Sequence, residues 1–292
     1  MRHFLKIRFD RRNASTMRTV TSPGNAVEQK TDHRAITIAA LPRRDSVLIV
    51  TCIAIATILA WFYLIHLDRQ MSPATSYDQA MAAMGMSSNT PWTLTDLLFT
   101  FAMWAVMMVG MMAPSATPMI LLFGASEARA GKRMPFLGAG AFALGYLAVW
   151  TLFSALAALA QWGLHRAAML SPTMSVLSPR IGGAVLVVAG AYQLSPWKNQ
   201  CLTHCRSPLS FLMTHWRPGR RGAFSIGAHH GSYCLGCCWA LMAILFVVGV
   251  MNLLWVAALT VFVLLEKIGP KGALFARLGG VALIVAGIVW VI

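Results

Sequence analysis

Long unbroken apolar runs alternate along this chain with short polar connectors rich in Lys and Arg. The runs cover residues 46–66, 95–124, 135–162, 181–197, 224–249, 250–266 and 273–292. Most approach the roughly 20 residues that a helix needs to cross a hydrocarbon core of about 30 Å. Barrel strands would alternate apolar and polar residues, and these runs do not. The pattern predicts an all-α, polytopic membrane helical bundle of about seven transmembrane helices, each satisfying its own backbone hydrogen bonds. The fifth and sixth runs are fused, without a charge from Tyr233 to Leu265. One helix of that length would rise about 50 Å, too far for one bilayer. A hairpin turning near Gly249–Asn252 is therefore expected.

Composition agrees: 58% of residues are apolar, 11% are charged, and the mean hydropathy is +0.65. A soluble domain carries about 25% charged residues. The net charge of +15 raises the question of nucleic acid, but the position of the charges argues for lipid. Ten of the 24 Lys and Arg precede Ser46, in a polar segment without helical period. Residues 1–45 read as a basic, disordered cytoplasmic arm against anionic lipid, and 46–292 as the transmembrane domain. The arm is not a secretory signal, since no small-residue cleavage site follows the first apolar run. With the N-terminus inside, only Arg69, Arg166 and Arg180 fall outside, as the positive-inside rule demands. The expected topology is N-in/C-out in a bacterial inner membrane, with lipids as partners and no nucleic acid.

A weak internal similarity bears on architecture. Arg180-IGGAVLVVAG in the fourth run matches Arg277-LGGVALIVAG in the seventh at seven of eleven positions. Helices two to four are thereby expected to repeat as five to seven, an inverted three-helix repeat.

The candidate chemistry is soft. Cys52 stands alone in the first run and reads as a small buried hydrophobe. The other five cysteines form two clusters: CLTHC, with Cys201, His204 and Cys205, and HHGSYCLGCCW, with His229, His230, Cys234, Cys237 and Cys238. On helices, spacings of three and four put each set of thiols on one face. Such a face chelates Cu(I), or with less preference Zn(II), and neutral imidazole can complete the shell. Small packing residues or disulfides are the alternatives, the latter disfavoured in a reducing compartment. Met103, Met107 and Met111 form one stripe of the second run, Met108 and Met112 another, and Met119 lies beyond Pro114 and Pro118. Methionine is usually core filler, yet thioether also selects Cu(I). The two prolines are expected to kink or unwind this helix. His3, His33, His66, His165 and His215 read as solvated or interfacial.

Absences narrow the function. There is no phosphate-binding loop and no pair of carboxylates for hydrolysis. No Asp, Glu, Lys or Arg sits centrally in a run; those such as Asp96 and Glu266 lie at run ends. A coupled pump is disfavoured on that ground, and no enzyme activity is expected.

The stretches MWAVMMVGMMAPSATPM, YQLSPWKNQCLTHCRSPLSFL and GAHHGSYCLGCCWALMAILFVVGVMNLLW, followed by EK, resemble the predicted metal-binding integral membrane proteins of bacteria. This is the domain-of-unknown-function family 2182, some of whose members are described as copper chaperones. The resemblance covers about residues 95–292, with no departure inside the motifs. It implies metal binding and, in some members, copper delivery to an acceptor oxidase. Cys201, Cys205, Cys234, Cys237, Cys238 and the second-helix methionines match the family's motif position by position.

The sequence thus predicts a membrane copper-binding protein or chaperone that handles Cu(I) through thiolates and thioethers. Two alternatives stand beside it. One is a membrane thiol–disulfide oxidoreductase working through paired cysteines; the other is an assembly scaffold with a structural metal site.

Overall fold

The computed structural model describes residues 41–83, 92–167, 178–250 and 252–291. The basic arm up to residue 40, and Met84 and Met86 of the connector after the first helix, lie outside the described residues. The described residues form nine helices and no strand: α1 (Arg43–Ala83), α2 (Leu94–Arg129), α3 (Pro135–Arg166), α4 (Pro179–Leu194), α5 (Pro196–Arg206), α6 (Pro208–His215), α7 (Gly219–Val248), α8 (Leu253–Ile268) and α9 (Gly272–Val291). The fold is all-α.

Among the described residues five helices are long and apolar enough to cross a membrane: α1 over Arg43–Met71, α2, α3, α7 and α9. Two of the seven apolar runs, α4 and α8, fold as helices of only 16 residues, about 24 Å at the helical rise. The polar connector between the fourth and fifth runs is itself helical, as α5 and α6.

The fused apolar run breaks where expected. Gly249 adopts φ +94°, a left-handed conformation open to glycine at little cost. From this turn the chain doubles back: Cys234 lies fifteen residues before Gly249 and Lys267 fifteen after Asn252, and their side chains touch. The two arms, about 22 Å each, bring the end of α8 level with the middle of α7.

Glycines set the tightest seams. A Cβ at Gly227 of α7 would collide with the Phe142 carbonyl of α3, and one at Gly145 with the Phe224 carbonyl. Gly231 lies against Tyr146 and Val149, so α3 and α7 ascend in parallel. Because those two helices are parallel, the segment from α4 to α6 must bring the chain back across the bundle. The duplicated motif pairs with its own copy: Gly183 faces Gly287, and Gly190 faces Gly280. Hence α4 and α9 pack antiparallel, backbone against backbone. The wider repeat is not followed by the flanking helices. α2 packs along the length of α3, whereas α7 and α8 meet only sparsely, and α8 has half the length of α3.

α2 runs helical through Pro114 and Pro118, so the expected unwinding is absent. Hydroxyls serve this stretch: Ser115 donates to the Met112 carbonyl at 2.8 Å, and Thr117 to that of Ala113 at 3.3 Å. Met103, Met107, Met108, Met111, Met112 and Met119 are all buried. Cys52, expected inside, is exposed on the outer face of α1.

Candidate metal centre

The cysteine-bearing segments fold as the spacings require. In α7 the helical repeat turns Cys234, Cys237 and Cys238 to one side, and each is 1% exposed. α5 packs closely on α7 beside these cysteines because Gly236 has no side chain: a Cβ there would stand 3.0 Å from Cys201 Sγ. The Tyr192 hydroxyl donates to the Gly236 carbonyl from the end of α4. Cys205, one turn beyond Cys201, thereby reaches the same cluster. Its Sγ lies 4.0 Å from that of Cys237, which lies 3.4 Å from that of Cys238. The Cys237 thiol donates to the Cys234 carbonyl at 3.1 Å. All five of these thiols, and Cys52, are free.

Two sulfurs bound to one metal at about 2.3 Å sit about 3.8 Å apart at the tetrahedral angle. The Cys205–Cys237 separation is close to that span. Among the described residues no three His, Cys, Asp or Glu side chains are already drawn into a ligand shell. Hydrogen bonding to Cys234, reinforced by burial, holds the Cys205 thiol well above the usual thiol range.

Cys234 has a different environment. Lys267 Nζ donates to its Sγ at 2.8 Å and reaches Ser115 Oγ at 3.4 Å. The Tyr146 hydroxyl stands 3.0 Å from the same sulfur and donates to the Met112 carbonyl at 3.2 Å. Three helices therefore meet at one sulfur, and α2 bonds both of its partners. Beside it lies a cavity of about 200 Å³, walled by α2 (Ser115, Ala116, Pro118, Met119), by Cys205, Arg206 and Pro208, and by His230, Cys234 and Lys267.

A second polar group braces this floor. Lys198 of α5 and Glu266 of α8 form an ion pair with side chains 0% and 1% exposed, and Gln193 of α4 donates to Glu266 at 3.1 Å. Arg206 donates to the Glu266 and Gly269 carbonyls at 3.3 and 2.9 Å, neutralising the C-terminal end of α8. The sequence located Glu266 at a run end, but gave no sign that it turns inward. Lys267 is the residue most clearly missed. Its one trace was that it follows Glu266 at the end of the uncharged run.

The histidines divide. His230 is 4% exposed and lines the cavity, with its Nδ1 unpartnered. His229 turns away from the cavity into an aromatic group, 5.1 Å from Tyr233 and 4.6 Å from His215 by ring centroids. His204 stacks flat on Tyr233 at 4.4 Å while its Nδ1 bonds the Gln200 carbonyl. His215, read as interfacial, belongs to this group.

The methionines divide as well. Met119 lines the thiol cavity, whereas Met103 and Met107 line a separate small pocket with Leu64, Asp68 and Val256. Met119 to Met103 is sixteen residues, about 24 Å along α2. Met108, Met111 and Met112 are buried between them.

Neither the curated proteins nor the solved structures contain a match to this chain. A family model does match: PpoB2, described as copper chaperone, over residues 101–290. That span takes in α3 to α8 whole, nearly all of α2 and α9, and every thiol, imidazole and thioether of the site just described. The chain belongs to the PpoB2 copper chaperone family.

Proposed function

We propose that this protein holds Cu(I) on the thiol cluster of α5 and α7 and passes it along the α2 thioethers to an acceptor. The observation that carries the reading is the convergence of Cys205, Cys234, Cys237 and Cys238 beside one cavity that also contains Met119. Thiolate and thioether are soft donors, and the set holds no carboxylate to favour a hard cation. Cys201 sits one turn from Cys205 at the same seam, and His230 has a ring nitrogen to offer. His204 and His229 would join only after leaving Tyr233.

The buried methionines run from the cavity toward the far pocket, which suits stepwise exchange among neutral ligands. In a low-dielectric path a thioether carries no charge to desolvate, whereas a carboxylate at the centre of a membrane helix costs about 2.5 kcal/mol or more. The protein acts in this reading without a catalytic cycle, in the bacterial inner membrane, with a copper-dependent oxidase as acceptor. Zinc is the lesser alternative cargo.

Metal analysis of the purified full-length protein in detergent tests this. Wild type should retain copper after desalting, and a variant with Cys201, Cys205, Cys234, Cys237 and Cys238 all changed to Ser should retain none. Met119→Leu should weaken retention. The Met107→Leu/Met111→Leu pair should leave retention intact and slow transfer to an external chelator. Volume-preserving swaps of this kind cost under about 1.5 kcal/mol, so the fold survives. A five-serine variant that keeps wild-type copper defeats the proposal. Normal transfer by the double leucine variant returns the stripe to core packing.

A further inference from the structure

The cavity beside Cys234 carries the wrong charge for a bare metal cation. Lys267 and Arg206 both line it, and among the described residues no carboxylate does. Arg206 donates to the Glu266 and Gly269 carbonyls, neutral acceptors that leave its positive charge in place. Lys267 directs its ammonium at Cys234 and Ser115. The nearest carboxylate in sequence, Glu266, is engaged with Lys198 and Gln193. A naked or hydrated Cu(I) ion approaching Cys234 would meet two fixed positive charges. A complex in which two thiolates bind one Cu(I) is an anion, and the same charges would draw it in. A further feature asks for a ligand larger than a metal ion. His230 is 4% exposed, lines the cavity, and has a ring Nδ1 without a hydrogen-bond partner. A volume of about 200 Å³ is several times the roughly 30 Å³ share of one water, enough for the copper–sulfur centre and a short polar arm.

We infer that the substrate of this cavity is an anionic Cu(I)–thiolate complex of a small carrier thiol, recognised by Lys267, Arg206 and His230; the inference rests on the copper reading above. Uptake is then ligand exchange. A bond forms between Cu(I) and Cys234 Sγ while one carrier sulfur–copper bond breaks. The proton of the Cys234 thiol leaves with the departing carrier as a neutral thiol, and copper stays in the +1 state throughout. A second exchange of the same form at Cys205 releases the other carrier. Each step conserves charge on the copper complex, so the cavity never has to hold an unshielded cation.

Carriers of opposite charge test the idea. Full-length protein in uncharged detergent, kept anaerobic, is offered Cu(I) as its 3-mercaptopropionate complex, an anion, or as its cysteamine complex, a cation. Loading is followed by the ultraviolet absorption of protein-bound Cu(I) thiolate. Final stoichiometry should match for both carriers, while the initial rate from the anion should exceed that from the cation by about tenfold or more. Lys267→Gln and Arg206→Gln should each shrink that ratio severalfold, and Lys267→Arg should preserve it. Lys132→Gln, which removes one exposed charge away from the cavity, should leave the ratio unchanged. This last comparison separates the cavity from the general attraction of a chain with net charge +15. Arg206 also holds the end of α8, so Lys267→Gln provides an independent variant should Arg206→Gln misfold. Equal rates from both carriers in wild type, or a ratio that falls no further in the two cavity variants than in Lys132→Gln, overturn the inference while copper binding stands. Failure of wild type to hold copper from either carrier overturns the copper reading itself, and this inference with it.

Discussion

At the residue scale the site depends on charges buried at helix ends. Lys198 and Glu266 pair out of solvent and tie α5 to α8, with Gln193 of α4 alongside. Removing one partner of such a pair leaves the other uncompensated, which costs about 3–5 kcal/mol, whereas replacing both by apolar residues of similar size is near neutral. Lys198→Met and Glu266→Leu should therefore each lower the thermal midpoint in detergent sharply, and the double variant should recover most of the loss. A double-mutant cycle on those midpoints measures it; equal and additive losses would show that the pair is not coupled. Lys267 belongs to the same group of residues with a different partner, the Cys234 sulfur at 2.8 Å. In the linear sequence these three cations and acids look like ordinary run-end charges. Their inward turn follows from α8 stopping level with the middle of α7, a property of how the helices are cut to length.

At the element scale, glycine decides which helices can bring the thiols to Tyr146 and Lys267. Gly145 and Gly227 let α3 and α7 touch through their backbones, since a Cβ at either would strike a carbonyl of the other helix. Gly227→Ala should destabilise by about 1–3 kcal/mol, the usual range for overpacking a tight seam, and should shift Tyr146 away from Cys234. Gly140→Ala, on the partner helix α3, should be neutral, because a Cβ there meets nothing within 4 Å. Thermal melting of the two variants side by side checks this; similar midpoints would mean that the seam relaxes freely. Much at this scale could be read from the pattern of runs: the helical class, the hairpin at Gly249 and the shared faces of both cysteine clusters. The short α5 and α6 could not, because a polar connector with three prolines gives no apolar period. The duplicated glycine motif was visible, but its meaning differs from the expected three-helix repeat. Its two copies pack on each other, and glycine spacing of seven in both α4 and α9 serves that close antiparallel contact.

At the scale of the whole molecule, helix lengths and charge jointly fix where the cavity opens. α4 and α8 are each 16 residues, and both end beside Cys234 and Gly236, through Tyr192, Glu266 and Lys267. α2, α3 and α7 continue past that level for about eleven residues or more, with α5 and α6 laid against α7 and α2. The thiol cluster thus sits at the floor formed where the short helices stop, level with the middle of α7. Connectors beyond that floor carry Lys132, Arg133, Arg217, Arg220, Arg221 and Lys271, while the opposite end has Arg69, Arg166 and Arg180. Positive charge is retained on the cytoplasmic side of membrane proteins, so the cavity should face the cytoplasm. Reporter fusions at Gly131, Gly219 and Lys271 should read cytoplasmic, and one at Ala82 periplasmic. Cys201 is half-buried in α5, one turn before the cavity residue Cys205. A membrane-impermeant maleimide should accordingly label it in inverted vesicles and spare it in intact cells, with Cys201→Ser as the blank. Labelling from outside, with a periplasmic signal at Gly219, would reverse the orientation. The cluster would then face an oxidising compartment, where Cys205 and Cys237 at 4.0 Å are well placed to become a disulfide, and thiol–disulfide exchange would displace copper transfer as the favoured chemistry.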